Sequence, residues 1–385
     1  MIEKAFYGSK KYWIWILFLL ALIGVCFHFY LIQFTEGLKI TGMSRNVSWG
    51  LYIAQFTYMV GVAASAVMLV IPYYLHHYKT FSRIVILGEF MAIAAVTVCI
   101  LFIFVDLGQP MRVMNVILYP QLHSVMFWDM TVLSGYLILN LLIGWTTLEA
   151  ERKDVPPPSW VKPLIYLSVV WAISIHTVTA FLYAGLPGRP FWLSAIMAAR
   201  FLASAFCAGP AILLLLAFIV KKLTSYDPGE EPVDVLSKII TYAMSANIFF
   251  LLLEVFTAFY SNIPDDINSF KYLFAGLQGH KELVPFMWTS AILGLFSLAL
   301  LIPPQTRKNK TSLVIALVAL VVSTWIDKGL GLVVAGFIPN PFDKVTSYTP
   351  TFPEVMIAIG VYTVGIFILT VLWKVAISVK QKAIS

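Results

Sequence analysis

Charge is scarce in this sequence. Asp, Glu, Lys and Arg together supply 12% of its 385 residues, where a soluble globule would carry about a quarter. With 60% of residues hydrophobic, the chain cannot keep a soluble surface, and an integral membrane protein follows. Cysteine is nearly absent too. Cys26, Cys99 and Cys207 fall singly inside apolar stretches, without a CxxC pair or a Cys/His grouping at metal-ligand spacing. Neither a disulfide framework nor a cysteine-held metal site is suggested, and the thiols read as small buried hydrophobes. Also missing are a nucleotide loop, a Ser-His-Asp set and a carboxylate pair at hydrolase spacing. The net charge of +7 does not point to nucleic acid, because the basic residues sit in short loops beside hydrophobic runs.

Long apolar runs are what the chain has in quantity. Ten of them, at about 12–34, 50–74, 84–105, 125–145, 163–183, 192–222, 235–260, 283–302, 313–334 and 353–379, each exceed the roughly 18 residues that mark a spanning helix. The expected fold is therefore a single polytopic, all-α membrane domain over residues 1–385. Asp327 and Lys328 interrupt the ninth run, and Pro210 should kink the sixth and free a backbone carbonyl. Residues Met1 to Lys11 are short and basic, and the run after them is too long for a signal peptide, so no cleavable signal is expected. Seventeen Lys and Arg lie at the termini and in the loops after helices 2, 4, 6 and 8, against eight in the other loops, Lys328 counted among these. That asymmetry puts both termini in the cytoplasm, and an even number of spans requires the ends to share a side.

Three outer connections, Leu107–Ser124, Ser261–Glu282 and Ala335–Phe352, are long, apolar and rich in Pro, Gly, Asn and aromatics. They should fold over the outer surface as a docking face or a lid. The inner loops Glu149–Pro158 and Tyr226–Pro232 read as plain turns.

Ionisable residues inside apolar spans are costly, so each is a candidate for function. His28, Asp129, His176, Arg200 and Glu254 come from five helices and lie about 6 to 12 Å below their outer ends at 1.5 Å rise per residue. Arg200 is the candidate counter-ion of Asp129 or Glu254. Asp129, Tyr136 and Asn140 share a face of helix 4, and Asn247 and Glu254 share a face of helix 7. With Glu89 nearer the cytoplasmic end, these polar stripes suit a proton relay or, equally, interhelical hydrogen bonding. An acid, imidazoles and aromatics in a dry pocket suit a quinone, whose carbonyls they can hydrogen-bond and whose protons they can exchange. A heme b ligated by His28 and His176 is the competing use, and a transporter with a midplane site is a third reading. His76, His77, His123 and His280 lie in or beside loops and read as interface residues.

Several segments share one pattern: Trp49-Gly50-Leu51-Tyr52, Gly61-Val62-Ala63-Ala64-Ser65-Ala66, Asp106-Leu107-Gly108-Gln109-Pro110-Met111-Arg112, Trp128-Asp129 with Ser134-Gly135-Tyr136, Ser174-Ile175-His176-Thr177-Val178-Thr179, and Gly188-Arg189-Pro190 with Trp192. In this order and spacing they resemble the NrfD/PsrC family of quinone-interacting membrane subunits, with Gln109 where the family pattern has Arg. Ten helices resemble its longer branch, and most of all the DsrP subunits of the Dsr complexes of sulfate reducers. The resemblance implies two four-helix bundles flanked by two extra helices, in the cytoplasmic membrane of a prokaryote. It also implies a menaquinone site near the outer face, with no heme or iron–sulfur cluster in this chain. Asp129 and His176, and more weakly His28, are the residues onto which such a site maps, and Arg200, at the same depth, is a further candidate for binding the quinone. The implied partners are a four-cluster ferredoxin-type iron–sulfur subunit on the outer face, the other subunits of a Dsr-like complex, and membrane lipid. Such a subunit is not expected to act alone.

Overall fold

In hydrocarbon every backbone N–H and C=O must find its partner within the segment, so each apolar run folds as a helix. The computed structural model describes residues 2–75, 78–224 and 226–384. His76 and His77, expected at an interface, lie outside the described residues. Ten helices are long and apolar enough to span a bilayer: α1 Lys10–Ile40, α2 Leu51–Tyr74, α3 Val85–Asp106, α4 Val125–Arg152, α5 Val161–Ala184, α6 Met197–Leu223, α7 Glu230–Tyr260, α8 Val284–Leu301, α9 Lys310–Ala335 and α10 Phe352–Lys380. The chain is a multi-pass integral membrane protein.

Helices α2 to α5 close one four-membered ring, each packing on the next and α5 returning to α2, and α6 to α9 close a second in the same way. The rings join where α2 meets α6 and α9 and where α5 meets α6. Outside them α1 pairs with α10, which lies on α3 and α4. Of the most apolar stretch of α2, 89% is buried, against 17% for α1, so α2 is the axis of the molecule and α1 faces lipid. Small residues explain why α2 can sit there, since backbones approach closely where side chains are small. A Cβ on Gly209 of α6 would lie 2.0 Å from the Ser65 hydroxyl of α2.

Three elements depart from the sequence reading. Helix α6 starts at Met197 rather than near residue 192, because Pro190–Trp192 forms a 3-10 turn that drops Trp192 into the core. There the indole N–H donates to the carbonyl of Leu332 at 2.9 Å. Pro210 lies within a continuous α6, and the helical break falls opposite it, at Ser65–Ala66 of α2. Asp327 and Lys328 do not end α9 but sit in a π-helical turn, Ile326–Gly331, with both side chains buried. Lys328 therefore belongs to the membrane interior, not to the outer loops among which it was counted.

The outer connections differ in kind. Helix Pro264–Phe274 buries Ile267, Phe270, Tyr272 and Leu273, and residues 336–351 bury Phe337, Ile338 and Tyr348. Between α3 and α4, by contrast, Met111, Met114, Ile117, Leu118, Tyr119 and Leu122 stay exposed.

Candidate functional site

The α2–α4–α5 seam of the first ring holds the two residues singled out most strongly. On α5, Ala172, His176, Thr179 and Tyr183 recur at helical spacing and are all buried, so this face points into the ring. Asp129, in the second turn of α4, accepts a hydrogen bond from the Thr179 hydroxyl at 2.6 Å. One turn deeper His176 is 1% exposed, and neither ring nitrogen has a hydrogen-bond partner. An imidazole always offers at least one donor, and leaving such a group unpaired costs about 1–3 kcal/mol. Above it the Tyr183 hydroxyl pairs with Thr57 of α2. The aromatic rings of Trp49, Trp192 and Phe337 close the outer end, with centroids 5.0–5.8 Å apart among themselves and Tyr183.

This roof is pinned from α10. The Glu354 carboxylate accepts from the backbone N–H of Gly42 at 3.0 Å and of Leu51 at 3.2 Å, and pairs with the Tyr348 hydroxyl. An anion at the N-terminus of α2 complements both its unpaired N–H groups and its dipole. Gly50 lets this happen, since a Cβ there would stand 2.5 Å from the Tyr348 oxygen. Tyr348 lies outside the spans, and burial with the neighbouring carboxylate pushes its hydroxyl above the usual phenol range.

A second cluster lies across the ring interface. Arg200, 6% exposed in the first turn of α6, grips both oxygens of Asp327 at 2.9 Å and pairs with Glu254 of α7. Its counter-ions are thus Glu254 and Asp327, not Asp129. Next along the π turn, Lys328 is 5% exposed. Its ammonium donates to the carbonyl of Phe201 at 3.3 Å and stands 4.4 Å from that residue's ring centroid. Two cations and two carboxylates make the group formally neutral, the condition under which buried charge is tolerable.

The remaining candidates separate. Tyr136 and Asn140 are buried below Asp129 as their spacing required, with the Asn140 amide donating to the Tyr136 carbonyl at 2.8 Å. Glu89 of α3 is buried, its carboxylate facing Tyr74 and the backbone of Gly144. Tyr74, with Thr147, Arg83, Glu151 and Lys380, also lines a cavity of about 420 Å³ at the inner face. Asn247 is buried on α7 with an unpaired side-chain oxygen. His28 stays apart: it is exposed on α1, away from the interior that holds His176.

Sequence reasoning missed Thr57, Thr179, Tyr183, Glu354 and the role of the Asp327-Lys328 pair. The threonines carried no signal, being ordinary in membrane helices. Asp327-Lys328 carried a plain one, two charges inside an apolar run, which the sequence reading took only as an interruption of the helix.

Several known proteins are similar to this chain in sequence. The chain is 25% identical to a putative dimethyl sulfoxide reductase membrane subunit of Halobacterium salinarum, over 92% of this chain and 88% of that one. It is 25% identical to the Hdr-like menaquinol oxidoreductase integral membrane subunit of Archaeoglobus fulgidus, covering 64% and 60% of the two chains. Against the menaquinone reductase integral membrane subunit of Nitratidesulfovibrio vulgaris the identity is 21%, over 90% and 86%. The family model described as "Polysulphide reductase, NrfD" matches residues 39–338, and the chain belongs to that family.

Proposed function

We propose that this chain is the heme-free, quinone-reactive membrane subunit of a respiratory redox complex, exchanging electrons between menaquinone and an iron–sulfur partner on the outer face. The observation that carries this reading is His176, a buried imidazole with neither nitrogen partnered, beside a carboxylate held by Thr179. Such a pair suits a ligand with two carbonyl or hydroxyl oxygens, one hydrogen-bonded by the imidazole and one by Asp129. The names of two relatives, a menaquinol oxidoreductase and a menaquinone reductase subunit, support a menaquinone. A bound quinol supplies two electrons and two protons. Asp129 and His176 hold the head group and take up protons, Thr179 fixes the Asp129 carboxylate, and the aromatic roof excludes water.

Electrons leave to a four-cluster ferredoxin-type subunit docked on the exposed apolar loop between α3 and α4. In the same proposal, Glu89, Tyr136, Asn140, Asn247 and Glu254 handle protons, and both termini lie in the cytoplasm of a prokaryote. Placement in a Dsr-like complex rests on motif order and helix number. In the intact complex, Asp129→Asn and His176→Ala should each lower menaquinol oxidation about a hundredfold, the scale of a lost acid–base group. His176→Ala should also weaken binding of a menaquinone-analogue inhibitor. An unchanged rate and affinity in both variants would refute the site.

A further inference from the structure

Quinol oxidation in a dry pocket requires protons to reach water, and the second ring contains groups suited to carry them. At the outer face a cavity of about 340 Å³ lies between residues 190–196, α7 and the helix Pro264–Phe274, with Glu254 and Asp266 in its lining. One oxygen of Glu254 is held by Arg200, while the other has no hydrogen-bond partner. Burial and the neighbouring Asp265 push the Asp266 carboxyl above its usual range. The cavity thus presents carboxylates to the outer water on one side and the buried ion cluster on the other.

Inside, Lys328 stands between the two clusters. The Phe201 ring against which its ammonium stands lies 5.9 Å, centroid to centroid, from the ring of Tyr183 on α5, which roofs the His176 site. A Cβ on Gly61 of α2 would come 3.1 Å from the Lys328 ammonium, so the glycine brings the α2 backbone close to it. The two rings also match here. His176 lies about 12 Å below the outer end of the last helix of the first ring, and Lys328 about 10 Å below that of the second. The π turn then directs neighbouring side chains both ways, Asp327 to Arg200 and Lys328 to the ring interface.

Resting on the quinone reading of Asp129 and His176, we propose that Lys328 is the proton-transfer residue linking that site to the outer cavity through Asp327 and Glu254. Each step moves one proton and no electron. The Lys328 ammonium gives its proton to Asp327, and the amine left behind takes another from the site; the proton on Asp327 passes to Glu254, which shares its guanidinium, and Glu254 releases it to the cavity. Arg200 cannot give up a proton and acts by holding both carboxylates in place.

The intact complex in lipid vesicles tests this. Lys328→Met should bind a menaquinone-analogue inhibitor with unchanged affinity while menaquinol turnover falls about a hundredfold. Lys328→Arg keeps the charge but cannot release a proton, so it should lose turnover as well. Turnover retained in Lys328→Arg, or analogue binding lost in Lys328→Met, would overturn the relay. Glu254→Cys should react with a membrane-impermeant thiol reagent added outside and not inside, and protection from the outer side would overturn the exit. A wild-type complex that neither binds the analogue nor oxidises menaquinol would refute the quinone reading instead, leaving the labelling result to judge the cavity.

Discussion

Thr179 illustrates how much a single residue decides in this interior. Its hydroxyl donates to a carboxylate that hydrocarbon would otherwise leave bare. Thr179→Val preserves shape and removes that donor, so the variant should lose about 1–3 kcal/mol of stability, read as a lower thermal midpoint in detergent. Menaquinol oxidation should fall with it, because Asp129 would no longer be held in place. At this scale Asp129, His176, Tyr136 and Asn140 were legible in the sequence, since a polar group within an apolar run is conspicuous and helical spacing tells which ones share a face. Thr57 and Thr179 were not, because their importance lies in which residue they meet across a seam.

Among elements, the π turn of α9 and the first turn of α6 form a unit around Arg200. Two buried carboxylates share one guanidinium, so removing it leaves uncompensated charge. Arg200→Met alone should destabilise the protein by about 3–5 kcal/mol, the cost of breaking a buried ion pair from one side. Combining it with Glu254→Gln and Asp327→Asn should restore much of that loss, because no uncompensated carboxylate remains. Thermal unfolding of the single and triple variants measures the difference; equal destabilisation would mean that the ion pairs do not carry this packing. The sequence pointed to an interruption in α9 and a kink in α6. The first treated a helix as an isolated object, whereas the π turn is accommodated by the partners it meets; the break at Ser65–Ala66 of α2, opposite Pro210, had no counterpart in the sequence reading.

For the whole molecule, the proposed topology and docking face make one joint prediction. Cys26, Cys99 and Cys207 are buried, so background labelling should be low. A cysteine replacing the exposed Leu118 should react with an impermeant thiol reagent from outside cells that lack the partner subunits, and become protected in the full complex. One replacing the exposed Leu223, at the inner end of α6, should react only after permeabilisation. Reversed sidedness would overturn the topology, and a Leu118 position that stays reactive in the complex would overturn the docking face.

Ten spans, their order and a shared side for the two termini were determined by the sequence alone, because bilayer thickness and backbone hydrogen bonding leave an apolar run of this length a single solution. The existence of a polar interior was legible for the same reason: charge in hydrocarbon is too costly to be incidental. Tertiary structure decided which charges belong together. It placed Arg200 with Glu254 and Asp327, left Asp129 to Thr179, set His28 outside on α1, and brought Lys328 between the rings. Depth along a helix can be counted from its ends, but the azimuth at which one helix faces another arises only when the rings close.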